Sequence, residues 1–136
     1  MNYPASLTLP TVSVGSLGTP GATAHATPFS INLQCDSPAV VGITFDGAGG
    51  TPVKSAASGV FGSMNEGSAG VASGVGVQLV NDTTFAPMPL RVRNNLGSIT
   101  ANTNASYRYA LRYYSLNGTP GAGQVSGAAV FTFDYQ

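Results

Sequence analysis

The sequence predicts an all-β protein, and three observations support this prediction. Apolar and polar residues alternate in short runs along the chain, as they do in strands with one buried face. The 136 residues include 18 glycines and 9 prolines, so turns are frequent. No long run has the period of an amphipathic helix. About seven or eight short strands separated by turns are typical of an antiparallel β-sandwich.

Size and charge narrow the class of protein. The length suits one domain with a sizeable core. Five basic and five acidic side chains leave a net charge of zero, which argues against a nucleic-acid binder and leaves few groups for acid–base catalysis. No apolar run approaches the roughly 20 residues of a membrane span. Met1 is followed by Asn2-Tyr3-Pro4 rather than by a signal peptide, which fits both a trimmed secreted chain and a cytosolic one.

The first half of the chain contains three predicted strands. In the first, Leu7 and Leu9 alternate with polar residues until Pro10, which indicates an edge strand or a bend, and Val12 resumes the alternation. A loop is predicted over residues 18–27. The second strand covers residues 29–35, and a turn at 36–38 leads to the third. The apolar faces of the second and third strands are Phe29, Ile31, Leu33 and Cys35, and Val41, Ile43 and Phe45.

The second half contains further short strands before the end of the chain. Short strands are predicted near Val53 and at Val60-Phe61, and a clearer one over residues 74–81. Leu90 and Val92 alternate with two arginines, and residues 94–97 contain a turn signal. Another strand is predicted from the alternation of Tyr107, Tyr109, Leu111 and Tyr113, and the turn over residues 117–121 follows it.

The last stretch, residues 123–136, has the strongest alternation. Its odd positions form one apolar face, which consists of Val125, Gly127, Ala129, Phe131, Phe133 and Tyr135. Because no hairpin can form beyond a terminal strand, one side of it must pair with an earlier segment or with another molecule. The terminal strand could accept a strand from another molecule. The alternative is an ordinary core strand whose partner lies within the same chain.

Several blocks of the chain resemble one known family in their order. They are Leu9-Pro10, Gly21, the strand over residues 29–35, the Gly-Val-Gly strand at 74–79, Leu111–Tyr114, Gly123 as the fourteenth residue from the end, and a penultimate Tyr135. This pattern resembles subunits of chaperone–usher fimbriae of the type 1 kind, either the pilin domain of a tip adhesin or a minor pilin. The resemblance spans nearly the whole chain.

The resemblance implies an immunoglobulin-like sandwich that lacks its last strand and is completed by donor-strand complementation. The implied partners are a periplasmic pilus chaperone, an outer-membrane usher and a neighbouring subunit that donates a β-strand, and the implied destination is an extracellular fimbrium. The Gln136 carboxylate would be anchored by the chaperone. Residues expected to line the groove are Leu7, Leu9 and Val12 on one wall and Val125, Ala129, Phe131, Phe133 and Tyr135 on the other.

The chain departs from the family pattern near its beginning. Family members carry an earlier cysteine bonded to the one that Cys35 matches, and none precedes it here. We interpret residues 1–136 as a single pilin domain truncated just before that cysteine, with Cys35 as the remaining half of a disulfide; the alternative is a subunit that dispenses with the earlier cysteine. His25 has no second ligand at metal spacing, so neither a metal nor a cofactor is expected.

Two classes of function remain open at this stage. The leading hypothesis is a non-enzymatic structural subunit of an adhesive bacterial fimbria. The alternative is a cell-surface module that recognises a host glycan or protein, although the absence of tryptophan weakens a sugar-stacking site.

Overall fold

Two antiparallel sheets form the computed structural model, which describes residues 14–34, 36–48, 50–65 and 68–135. Within these residues there is one short 3-10 helix, Val14–Leu17, together with eight strands. The predicted all-β fold is thereby confirmed. The strands are β1 (Thr23–Gln34), β2 (Ala39–Ala48), β3 (Val53–Ser55), β4 (Val60–Gly62), β5 (Val75–Asn81), β6 (Asn94–Ile99), β7 (Asn104–Ser115) and β8 (Ala128–Tyr135).

Consecutive strands alternate between the two sheets, except for β3, β4 and β5, which lie side by side in the larger sheet. One sheet has the order β1-β7-β5-β4-β3, and the other has the order β6-β2-β8. The two long strands β1 and β7 pair along their length, from Thr23 with Tyr114 to Gln34 with Asn104. The last described strand, β8, pairs with β2 and lies at one end of the smaller sheet.

Apolar side chains from both sheets form the core between them. Ile31 of β1 and Ile43 of β2 have no exposed surface, and Phe45 and Leu79 are nearly as buried. These residues belong to one cluster, which also contains Phe61, Leu90 and Tyr109. The predicted inward face of β2 is confirmed, since Val41, Ile43 and Phe45 are all buried. Burying such side chains, at about 1.5–3 kcal/mol each, is what holds the sheets together.

Two local predictions were wrong, both because a neighbouring strand overrides a local signal. The loop predicted over residues 18–27 is part of β1 from Thr23 onward, since the long strand β7 supplies backbone partners there. The turn predicted at residues 94–97 belongs to β6. Gly97 has a φ of 86° and donates its N–H to Asn95 Oδ1 at 2.9 Å, which makes an irregularity within the strand rather than a reversal of the chain.

The terminal strand is shorter than the sequence predicts. β8 begins at Ala128, and the preceding residues bond to a different part of the chain. Gln124 N–H donates to Gly70 O at 2.8 Å, and Gln124 O accepts from Ala72 N–H at 2.9 Å. Ser126 O accepts from Met64 N–H at 2.7 Å. These bonds hold residues 124–126 away from β2, and alternation alone cannot indicate such a change of partner.

Gly123 stands where two backbone segments touch, and its substitution is expected to destabilise the domain. Its φ is 153°, and an added Cβ would overlap the backbone at Val71 and Ala72. We expect Gly123→Ala to lower the free energy of unfolding by about 2 kcal/mol, measured by urea denaturation.

Gly70→Ala is the matched control for this prediction. Gly70 also has a positive φ, but its Cβ would meet nothing within 4 Å. Gly70→Ala therefore changes only the backbone preference and should cost about 1 kcal/mol. Equal losses in the two variants would contradict the contact argument for Gly123.

Candidate functional site

Among the described strands, β8 is an edge strand of the smaller sheet. Among the described strands its neighbour is β2, in a continuous register from Tyr135 opposite Val41 to Ala128 opposite Ala48. Directly paired residues of antiparallel strands share a face. Phe131 and Phe133 therefore face inward, since they are paired with Phe45 and Ile43.

The inward face of β8 is much less buried than the same face of β2. Val41 and Ile43 are 0% exposed, whereas Tyr135, the partner of Val41, is 52% exposed. Phe131 and Phe133 are half-buried, and Ala129 is exposed. Large apolar side chains on the core side of a sheet are normally covered. The inward side chains are thus buried on β2 but partly exposed on β8, the next strand of the sheet.

Aromatic rings line this partly covered side of the sandwich. The centroids of Phe131 and Phe133 are 5.6 Å apart with nearly perpendicular rings, and Phe133 lies 6.3 Å from Tyr107 of the facing strand β7. Tyr107, Leu111 and Tyr113 on the same face of β7 are only half-buried. The two sheets therefore present an apolar, aromatic surface along β8 and β7.

A cavity of about 330 Å³ lies where β8 begins. The approach to β8 and the inner face of the larger sheet both contribute to its wall, and Ala128 N–H donates to Thr51 Oγ1 at 2.7 Å beside it. The volume exceeds that of any single buried water site. Its wall includes Thr51, Phe61, Val77, Leu111, Tyr113 and Val125.

The outer face of the smaller sheet carries charge, unlike its inner face. Arg93 Nε donates to Asp134 Oδ1 of β8 at 2.6 Å, and Arg91 Nε donates to Asp46 Oδ1 of β2 at 2.9 Å. The hydrogen bond from Arg91, with a second from Gly47 N–H, lowers the pKa of Asp46. The acidic residue of β8, Asp134, thus lies on the face opposite Phe131 and Phe133, and this outer face also carries Val130, which is 48% exposed.

The structure brings together part of the predicted groove. Phe131, Phe133 and Tyr135 lie on one face of β8 with Ala129. Val125 precedes the strand and packs on a cluster formed by Leu17, Ala72 and Val75, at the wall of the cavity. The other predicted positions lie outside the described residues, namely Leu7, Leu9, Val12, Cys35 and Gln136.

Sequence reasoning missed two parts of this region. Thr51 and Phe61 line the cavity from segments that carry only weak strand signals. Arg93 reaches β8 from the segment before β6, and no local pattern predicts that contact. Within the described ranges, no group of three or more histidine, cysteine or acidic side chains is placed to hold a metal ion. Nor is any helix there long and apolar enough to cross a membrane.

Comparisons with known proteins agree with this geometry. The fimbrial protein family model matches residues 1–136. The F17 fimbrial protein of Escherichia coli is 32% identical in an alignment of 133 residues that covers 94% of this chain and 73% of that protein. The solved structure of an antigen and type I fimbria protein of Burkholderia pseudomallei has a TM-score of 0.69 and 24% identity, covering 99% and 88% of the two chains.

A second solved structure, the P pilus rod subunit PapA, has the same fold at lower identity. Its TM-score is also 0.69, with 14% identity over 98% of this chain and 93% of that one. The all-β fold is the immunoglobulin-like fold of such pilins. The whole-chain family match and the F17 relative lead to one conclusion: the chain belongs to the fimbrial protein family and is a structural pilus subunit.

Proposed function

We propose that this subunit polymerises by accepting a β-strand from a neighbouring subunit beside β8. The observation that carries this proposal is the difference in burial between paired inward residues, with Val41 fully buried and Tyr135 52% exposed. An added strand next to β8 would cover the half-buried Phe131 and Phe133 and extend the backbone ladder of the sheet. Strand addition of this kind takes affinity from main-chain hydrogen bonds and specificity from pockets for alternate side chains.

The cavity at the start of β8 supports the same proposal. It continues the aromatic surface past Ala129 toward Val125, so an incoming strand would find a pocket for one larger apolar side chain. The walls there come from uncharged residues, which suits an apolar donor. The opposite wall would be formed by Leu7, Leu9 and Val12.

The family suggests the route by which such a strand arrives. We infer that a periplasmic chaperone first supplies the strand and anchors the Gln136 carboxylate, and that an outer-membrane usher then exchanges it for the extension of the next subunit. The assembled subunit would then be part of an extracellular fimbrium. The role proposed for the domain is structural, without catalysis.

A melting experiment with a synthetic peptide tests the proposal. The probe, here called the alternating peptide, has valine and threonine in alternation over the length of β8. A ligand that binds only the folded state at about 100 times its Kd adds about 2.7 kcal/mol to stability, so the melting temperature should rise by roughly 10 °C. A peptide of the same composition with valines and threonines in blocks is the control. An unchanged melting temperature with the alternating peptide would count against strand acceptance.

A further inference from the structure

One arginine on the outer face of the smaller sheet spans three backbone segments. Arg93 precedes β6, and its Nε donates to Asp134 Oδ1 of β8 at 2.6 Å. Between them lies β2, where Gly42 is the register partner of Asp134. A Cβ on Gly42 would overlap Arg93 Nε and Cζ. The arginine therefore crosses β2 at a residue without a side chain and reaches the last described strand.

The second ion pair on this face has a different geometry. Arg91 binds Asp46 of β2, and Arg91 N–H already donates to the neighbouring Phe45 O at 2.7 Å. The Arg91–Asp46 pair therefore connects two segments that a backbone hydrogen bond already connects. The Arg93 pair instead reaches a strand that has one neighbour among the described strands. Arg93 is also less exposed than Arg91, at 31% against 59% of the side chain.

We propose that Arg93 is a positioning residue that holds the C-terminal part of β8 against β2. The edge of β8 that faces away from β2 is then in place before a partner strand arrives. The inference rests on the proposed strand acceptance. Terminal segments open locally at low free-energy cost unless they are tied down. Asp134 is next to Tyr135, the last described residue, where such opening would misalign the edge that the partner must bind. The set of Arg93, Gly42 and Asp134 is here called the Arg93 clasp.

Amide hydrogen exchange of the free domain tests whether the clasp holds β8. In Arg93→Ala, the amides of residues 132–135 that point to β2 should exchange about two- to fivefold faster, the range expected for a partly exposed ion pair. Gly42→Ala should give the same increase without changing any charge, because the new methyl group displaces the arginine. Arg91→Ala is the matched control and should leave these amides unchanged.

The double variant Gly42→Ala/Arg93→Ala tests the contact itself. Once the arginine is absent, the methyl group at position 42 has nothing to displace, so it should cause no further increase in exchange. Molar salt should accelerate exchange in the parent toward the level of Arg93→Ala, since exposed charges are screened. Unchanged exchange in both single variants would overturn the clasp.

The rate of association with the alternating peptide tests the link to strand acceptance. Only the closed state of β8 offers the edge that the peptide binds, so association in Arg93→Ala and Gly42→Ala should slow by the factor by which the closed fraction falls, and it should stay at the parental rate in Arg91→Ala. Parental rates in all variants would overturn the positioning role while leaving strand acceptance intact. A parent that fails to bind the peptide would overturn the proposed function itself.

Discussion

A strand with alternating valine and threonine, joined to the C-terminus by a glycine-rich linker, should raise the free energy of unfolding by about 5 kcal/mol or more. The hairpin would place the new strand beside β8 and cover the inward side chains that are now half-buried, including Phe131 and Phe133. Each large apolar side chain moved out of water contributes about 1.5–3 kcal/mol. Tethering also reduces the entropy that a free peptide loses on binding. Urea denaturation would measure the gain, which corresponds to roughly 20 °C in melting temperature.

The control for this variant keeps its composition and length. Placing the valines and threonines in two blocks leaves only about half of the valines on the inner face in any register, because successive side chains alternate between the faces. The other valines would lie on the outer face, which carries the Arg93–Asp134 and Arg91–Asp46 ion pairs. The strand with blocks should therefore stabilise the domain less than the alternating strand. Equal stabilisation by both strands would mean that the tether, rather than burial beside β8, causes the gain.

Tyr109 should make the domain lose about 2–3 kcal/mol of stability between pH 10 and pH 12. Its side chain is 2% exposed, and its hydroxyl has no hydrogen-bond partner among the described residues. Burial, with a smaller effect from the nearby Tyr107, raises the pKa of Tyr109 to about 12. The unfolded chain releases this proton near pH 10 and the folded chain only near pH 12. Between these values the unfolded state binds fewer protons, so stability is complete below pH 10 and falls as the pH rises.

Tyr109→Phe should remove this part of the alkaline loss. It also deletes a buried hydroxyl without a partner, so stability at neutral pH should rise by about 1 kcal/mol. The ring contacts with Phe29 and Phe45 remain available to phenylalanine. Tyr114→Phe, on the opposite face of β7, is the control and should retain the loss. Denaturation curves at several pH values measure both effects, and a variant with the parental pH dependence would contradict the assignment to Tyr109.

Strand faces were predictable because a strand has a period of two residues that is visible locally. The inward positions Val41, Ile43 and Phe45 were recognised in this way, as was the row Tyr107, Tyr109, Leu111 and Tyr113 of β7. The ends of strands were less predictable, since pairing with β7 extends β1 back to Thr23 and pairing with β2 draws residues 94–97 into a strand. Those outcomes depend on distant neighbours rather than on local preference.

The amino-acid sequence alone determined the all-β class, the division of each strand into an apolar and a polar side, and the resemblance to fimbrial subunits. Only the tertiary structure decided that β8 lies at a margin beside β2, that a cavity lies at its start, and that Arg93 crosses Gly42 to reach Asp134. The physical reason is the sequence separation of the residues that interact. Alternation depends on adjacent residues, whereas margins, cavities and cross-strand ion pairs depend on segments that are far apart in the chain and meet only after folding.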